Sequence, residues 1–441
     1  MPRENPFYYN LPARPEDFLG RWTLVDEIVA DLCRARSDSW VVIGGRRFGK
    51  SSVLKVVETR LVDRLTNCDA GDWLVFPLLV DLKRCKPSSE QHIYVCILRY
   101  LYRALQRNRT LNCDFASTDL HAIITQDRDS LSFFQFENVL EDLVQRMDKQ
   151  SLFRLVLLLD EVESMTGFDW SETLFNQLRA MIYDGPLADV VKLVLTGSAN
   201  VIRARHAGSP LLNAVKIEHL ASFAESDLQT LIARGGEIPG KAATTVRAQS
   251  GGHPFIAQCL LHHLWDDGLA RATPAHVEQV ARQMQQKRAA DLQGWWDAVG
   301  DSGQWAYAIL ATAQDWGDKQ HPLDERSLLA QIQNTEQPLG QGLSALCYHG
   351  LVIRDDSLRR YRVAGKLFLD WFVLNGAERL AESKTQPPGA QVIIEHLVQH
   401  VGSLTNIGGD VSGPVASGKF ESAASVGGGQ ATDHRREETH E

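Results

Sequence analysis

The stretch Val41-Val42-Ile43-Gly44-Gly45-Arg46-Arg47-Phe48-Gly49-Lys50-Ser51-Ser52 decides the fold. An apolar run with strand character feeds into G-x-x-x-x-G-K-S, and Ser52-Val53-Leu54-Lys55-Val56-Val57-Glu58 continues with helical spacing. Strand, glycine loop and helix in that order build a phosphate cradle. Backbone N–H groups can curl round phosphate oxygens only where glycines remove the Cβ, a lysine reaches the outer phosphates, and a hydroxyl ligates Mg²⁺. Gly44, Gly49, Lys50 and Ser51 fill those roles, and Gly45, Arg46, Arg47, Phe48 and Ser52 complete the loop. Roughly one chain of this length in fifty matches the four fixed positions by chance, and chance does not also supply the strand before and the helix after.

Downstream, Phe153-Arg154-Leu155-Val156-Leu157-Leu158-Leu159-Asp160-Glu161-Val162-Glu163 is a second apolar run, and it ends in acid. Ligands of an open parallel sheet sit at the carboxyl ends of its strands, so Asp160 and Glu161 are expected beside the loop. Asp160 would share Mg²⁺ with Ser51, and Glu161 would orient or deprotonate an attacking water during phosphoryl transfer. Glu163 is the alternative base, but adjacency to Asp160 favours Glu161. A third run, from Val190 to Thr196, ends in Gly197-Ser198-Ala199-Asn200, which puts Ser198 or Asn200 where a terminal phosphate would be sensed. Arg179, on the helical stretch before it, is a candidate phosphate ligand in its own or a neighbouring subunit, with Arg203 and Arg205 as rivals.

The 441 residues, 44% hydrophobic and 23% charged, are enough for two or three globular domains. A net charge of −9 argues against broad electrostatic binding to nucleic acid. The longest apolar run, near Leu155 to Leu159, is too short to span a bilayer, and the first residues lack the apolar core of a signal peptide, so a cytoplasmic protein is expected. The cysteines at 33, 68, 85, 96, 113, 259 and 347 form no C-x-x-C pair and read as buried or free thiols, with Cys33, Cys96 and Cys347 in the core.

Apolar strands alternate with helical patterns through the first half, which means a parallel, doubly wound α/β sheet. Helices dominate from Glu225 to Trp296. Three more helices and a hairpin then suggest a winged helix. The expected organisation is a P-loop core over 1–220, a helical lid over 221–300, a winged helix over 301–375 and a poorly ordered Gly/Ser-rich tail over 376–441; residues 108–129 receive no role. The third helix of the winged helix, Gly340 to His349, carries no lysine or arginine, although the wing has Arg354, Arg359, Arg360 and Arg362. That balance favours contact with protein over contact with DNA.

Four segments together resemble one family: Phe18-Leu19-Gly20-Arg21, the glycine loop with its two arginines, Leu158-Leu159-Asp160-Glu161, and Gly251-Gly252-His253-Pro254-Phe255. They are similar to the bacterial and archaeal AAA-like ATPases of the STAND class over residues 15–375. The resemblance implies a P-loop core with helical lid and winged helix, with Gly20, Arg21 and Pro254 helping to clasp ATP or ADP. It implies a slow Mg²⁺-dependent ATPase that works as a switch in assembly or signalling, defence included, and partners by self-association or through a protein effector. The second reading is a DNA-binding AAA-type initiator or loader. No membrane role is expected.

Overall fold

A computed structural model describes residues 4–67, 72–107, 120–121, 131–148, 152–198, 211–313, 322–331, 339–355, 357–382, 390–395 and 397. Its first unit is a layered α/β sandwich. Helix α1 (Trp22–Leu32) leads to strand β1 (Ser39–Ile43), the glycine loop and helix α2 (Lys50–Thr66). Strand β2 (Leu74–Asp81), helices α3 (Leu82–Cys85), α4 (Glu90–Arg107) and α5 (Phe133–Asp148), strand β3 (Phe153–Asp160), helix α6 (Ser171–Tyr183), and strands β4 (Val191–Gly197) and β5 (Val215–His219) follow. The strands lie in the order β2-β3-β4-β1-β5, all parallel, so every carboxyl end reaches the same edge.

Successive side chains of a strand point to opposite faces, and here both faces are apolar because helices cover both. On β3, Val156 and Leu158 face the α1 and α2 layer, while Leu155, Leu157 and Leu159 face α4, α5 and α6. Strand β1 divides in the same way, with Trp40 and Val42 on the first face and Val41 and Ile43 on the second. The continuous hydrophobicity of these runs is therefore what two covered faces require. The start of β3 is tied down by Arg154, which is fully buried and donates to the backbone carbonyls of Leu32, Arg34, Ala35 and Asp189.

The second half is helical. Helices α7 (Glu225–Arg234), α8 (Gly240–Ser250), α9 (Pro254–Asp266), α10 (Pro274–Lys287) and α11 (Ala289–Ala298) are followed by α12 (Gly300–Thr312). Then come β6 (Leu323–Asp324), α13 (Glu325–Gln331), α14 (Leu339–Tyr348), β7 (Val352–Asp355), β8 (Arg360–Val363) and α15 (Lys366–Ala381). The short strands form an antiparallel sheet in the order β6-β8-β7. One hydrophobic core runs through all of this half. Trp295 and Trp296 of α11 meet Tyr307 of α12 and Phe368 and Phe372 of α15, and Phe7 from the N-terminal segment is fully buried in the same core, its ring 6.4 Å from that of Trp265. The helical stretch before residue 300 and the mixed stretch after it are thus one packed body.

One expectation is corrected. Cys85 and Cys96 form a disulfide rather than remaining thiols. The Asp81 carboxylate accepts from Arg84 N and folds α3 back beside α4, which brings the two Cα atoms to 6.0 Å. A separation of 11 residues across a turn leaves no spacing signature. Helix α15 runs to Ala381, its Trp371, Phe372, Val373 and Leu380 are buried, and Ala390, Ile393 and Leu397 join the same core. Residues 398–441 and most of 108–129 lie outside the described residues, as do Asn200, Arg203 and Arg205.

Candidate functional site

The glycine loop closes the carboxyl end of β1, and its backbone conformation needs left-handed residues. Gly49 sits at φ 82° and is the N-cap of α2, while Arg47 adopts φ 70° without being glycine. Helix α2 therefore begins at the loop with free N–H groups aimed into a cavity of about 1000 Å³. Arg46, Arg47, Phe48, Gly49, Lys50, Ser51 and Ser52 line that cavity, with Asp160, Glu161, Glu163 and Ser198 opposite. The sequence-read constellation is thus brought together in space.

Lys50 Nζ donates to the carbonyls of Gly44 (2.8 Å) and Gly45 (3.1 Å). Burial pushes its pKa down, opposed by the carboxylates of Glu163, Asp160 and Glu161. Strand β4 lies between the lysine's strand and β3, and it supplies a link the sequence did not reveal. Thr196, fully buried at the end of β4, donates to Asp160 Oδ1, which also accepts from Glu161 N at 3.0 Å. One oxygen of Asp160 is therefore held in place. Glu161 has φ 59°, and its Oε2 lies 3.5 Å from Lys83 Nζ on α3. The pair is largely exposed, so it contributes orientation more than stability. Glu163 sits deeper: its Oε2 is buried without a hydrogen-bond partner among the described residues, and burial raises its pKa against the pull of Lys50.

Gly20 and Arg21, both in the left-handed region, lie where the two halves meet. Arg21 donates to the carbonyls of Phe48 in the loop and Ala221 (2.8 Å), with its guanidinium over the Phe223 ring at 5.3 Å. Burial pushes its pKa down to about 10, partly offset by Asp227. Pro254 occupies the first turn of α9 and lines the cavity, a position where its missing N–H costs nothing. The preceding Gly251 and Gly252 are required by space, since a Cβ on Gly251 would lie 2.2 Å from the Ala364 carbonyl oxygen.

Arg179 does not line the cavity. It points away on α6, 3.4 Å from Asp184 and 5.0 Å over the Tyr183 ring, so within its own chain it is not brought to the loop. In its place the structure brings residues that sequence reasoning missed. Tyr8 to Ala13 run along the cavity, where Ala13 N donates to Ser52 Oγ at 2.9 Å. Tyr348, at the end of α14, donates its hydroxyl to the Gly44 carbonyl at 2.5 Å, the same oxygen that receives Lys50. A Cβ on Gly45 would lie 2.8 Å from the Tyr348 carbonyl oxygen, and one on Gly350 would lie 2.6 Å from Phe48, so α14 and the loop are in intimate contact.

Two histidines are caught in that contact. His253 packs between the rings of Phe48 (4.7 Å) and Trp295 (4.5 Å), and neither ring nitrogen has a hydrogen-bond partner among the described residues. Burial pushes its pKa down to about 3, and His349 falls to about 4 through burial and the nearby Lys50. Both are held neutral. Because the folded values lie below the ordinary value near 6.5, the unfolded chain takes up protons first as pH falls. Their contribution is therefore present above about pH 6.5 and is lost toward pH 4, on the order of 1.4 kcal/mol per pH unit per histidine. Urea unfolding at pH 7.5 and pH 5 is expected to show this loss, with a shallower pH slope in His349→Gln.

No protein-family model matches this chain, and neither does any curated protein. Solved structures do. A Walker-type ATPase of Pyrococcus abyssi is 16% identical over 83% of this chain and 99% of its own, with a TM-score of 0.57. The Aeropyrum pernix ORC1 protein in complex with DNA is 13% identical over 82% of this chain and 94% of its own, with a TM-score of 0.41. The first likeness shows a shared P-loop NTPase fold; the second is too loose a superposition to bear on function. Among the described residues, no helix is long and apolar enough to cross a membrane.

Proposed function

We propose that this chain binds ATP or ADP with Mg²⁺, hydrolyses ATP slowly, and uses the bound nucleotide to set how its helical half packs on the phosphate loop. The observation that carries the reading is the Tyr348–Gly44 hydrogen bond, which joins residues 304 apart and ties α14 to the loop carbonyl that also receives Lys50. A phosphate entering the cradle draws Lys50 off that carbonyl, so occupancy acts directly on the contact.

In this reading Lys50 and the α2 N-terminus bind the outer phosphates, and Ser198 meets the terminal one. Ser51 and Asp160 offer hard oxygen donors suited to Mg²⁺, which when bound would neutralise charge on the β- and γ-phosphates. Thr196 fixes Asp160, and Glu161 accepts the proton of the attacking water. Arg21, Gly20 and Pro254 clasp the nucleoside end from the side of the lid. Arg179 remains available only to a neighbouring subunit. The class that best fits this device is the STAND switch, with the α12–β8 segment as its winged helix and a protein effector or further copies of the chain as its partner.

Calorimetric titration with ATP and ADP, with and without Mg²⁺, together with phosphate release, tests the proposal. Binding of both nucleotides is expected, with turnover below the usual range of about 1–10³ s⁻¹. Absence of binding to either would overturn it.

A further inference from the structure

The two arginines inside the glycine loop do not simply face the cavity. Arg47 reaches out of the loop to the helical half, where its Nη2 lies 3.4 Å from Asp291 Oδ1 and its guanidinium sits 4.6 Å over the Phe255 ring. Asp291 stands at the start of α11, with a side chain only 11% exposed, and Arg288 holds its other oxygen at 3.9 Å. Arg288 is braced in turn: it donates to Asn10 Oδ1 at 3.1 Å and stacks 4.9 Å over Tyr9. The chain of contacts therefore runs from the loop through α11 to the N-terminal segment along the cavity wall.

Helix α11 lies against the loop at two further places. A Cβ on Gly294 would stand 3.6 Å from an Arg46 nitrogen, and Trp295 covers His253, which covers Phe48. Gly294, Trp295, Asp297 and Ala298 also line the cavity, so α11 is part of its wall. A nucleotide held in the cavity would therefore lie against this wall. Among the described residues the Arg47–Asp291 pair is the ion pair that joins loop to α11, and because both side chains are largely buried, removing one partner leaves the other charge uncompensated. Arg47 also holds a left-handed backbone conformation inside the loop, so loop shape and tether are set by one residue.

We propose that Arg47 and Asp291 form a clasp that gates nucleotide release by holding α11 on the phosphate loop. The inference rests on the nucleotide-binding reading above and adds to it a positioning role for a loop arginine and its partner on α11.

The test is stopped-flow release of fluorescent N-methylanthraniloyl-ADP from the full chain, with wild type, Arg47→Met, Asp291→Asn, the double variant and Asp291→Glu. Each neutral single variant is expected to release the nucleotide about tenfold faster, and the double variant to be no faster than either, because both remove one interaction. Asp291→Glu, which keeps the charge, is expected to restore slow release. Rates that multiply in the double variant, or singles that release at the wild-type rate, would overturn the clasp. Failure of wild type to bind the probe would overturn the nucleotide-binding reading itself, and the clasp with it. Amide exchange of 289–298 without nucleotide checks the contact independently of ligand: it is expected to quicken in both single variants, and unchanged exchange would also overturn the clasp.

Discussion

Lys50→Ala is expected to weaken ATP binding by about a hundredfold or more while leaving the fold intact. Among the described residues the lysine is the side-chain cation placed between the loop carbonyls of Gly44 and Gly45 and the carboxylates of Glu163, Asp160 and Glu161. Charge-assisted hydrogen bonds to phosphate are worth about 1.5–3 kcal/mol each, and an ammonium can make two, which converts to two or more decades in affinity. Stability changes little, because Gly44 keeps its bond from Tyr348 and the burial of Lys50 already weakens its charged form. Calorimetry on the variant reads the affinity, and thermal unfolding reads the fold. Tight ATP binding without the lysine would mean that the cradle does not work as described.

The second large effect is on turnover. Glu161→Gln is expected to lower ATP hydrolysis by about 10²–10⁴-fold, the usual contribution of a positioned general base, with ATP affinity nearly unchanged. The argument is positional: Glu161 follows directly on Asp160, which Thr196 fixes, and Lys83 holds its carboxylate toward the cavity. Glu163 is the competitor, since its buried carboxylate is the one that most favours the charge on Lys50. Single-turnover assays on both glutamine variants separate the two. Wild-type hydrolysis in Glu161→Gln, with hydrolysis lost in Glu163→Gln, would transfer the role to Glu163.

What could be read in the sequence was local in character. The glycine loop, the acidic end of β3 and the alternation of apolar strands with helices each lie within a short window, so periodicity and spacing expose them. The same holds for Gly251-Gly252-His253-Pro254, where the glycines are needed because the chain passes under Ala364. The links that connect these pieces were hidden because they join distant positions through single side chains. Thr196 to Asp160, Tyr348 to Gly44 and Arg47 to Asp291 leave no repeat or composition signal in a single chain. The Cys85–Cys96 disulfide escaped for a related reason, since it depends on the tight reversal at α3 rather than on cysteine spacing.

One shared core for the lid and the segment after it refines the switch. Trp296, Tyr307 and Phe372 lock these helices together, so nucleotide is expected to move them as one body against the phosphate loop. The contacts at stake are then those of that boundary: Tyr348 on Gly44, His253 on Phe48, and Asp291 on Arg47.

Hydrogen exchange on Glu161→Gln, compared between saturating Mg-ATP and Mg-ADP, tests the switch most directly. The account predicts that both nucleotides slow exchange across the loop and the start of α2, whereas amides from Cys347 to Val352 exchange at least about tenfold faster with ATP than with ADP, as a local opening. Equal exchange of that segment in the two states, with the loop protected in both, would contradict it.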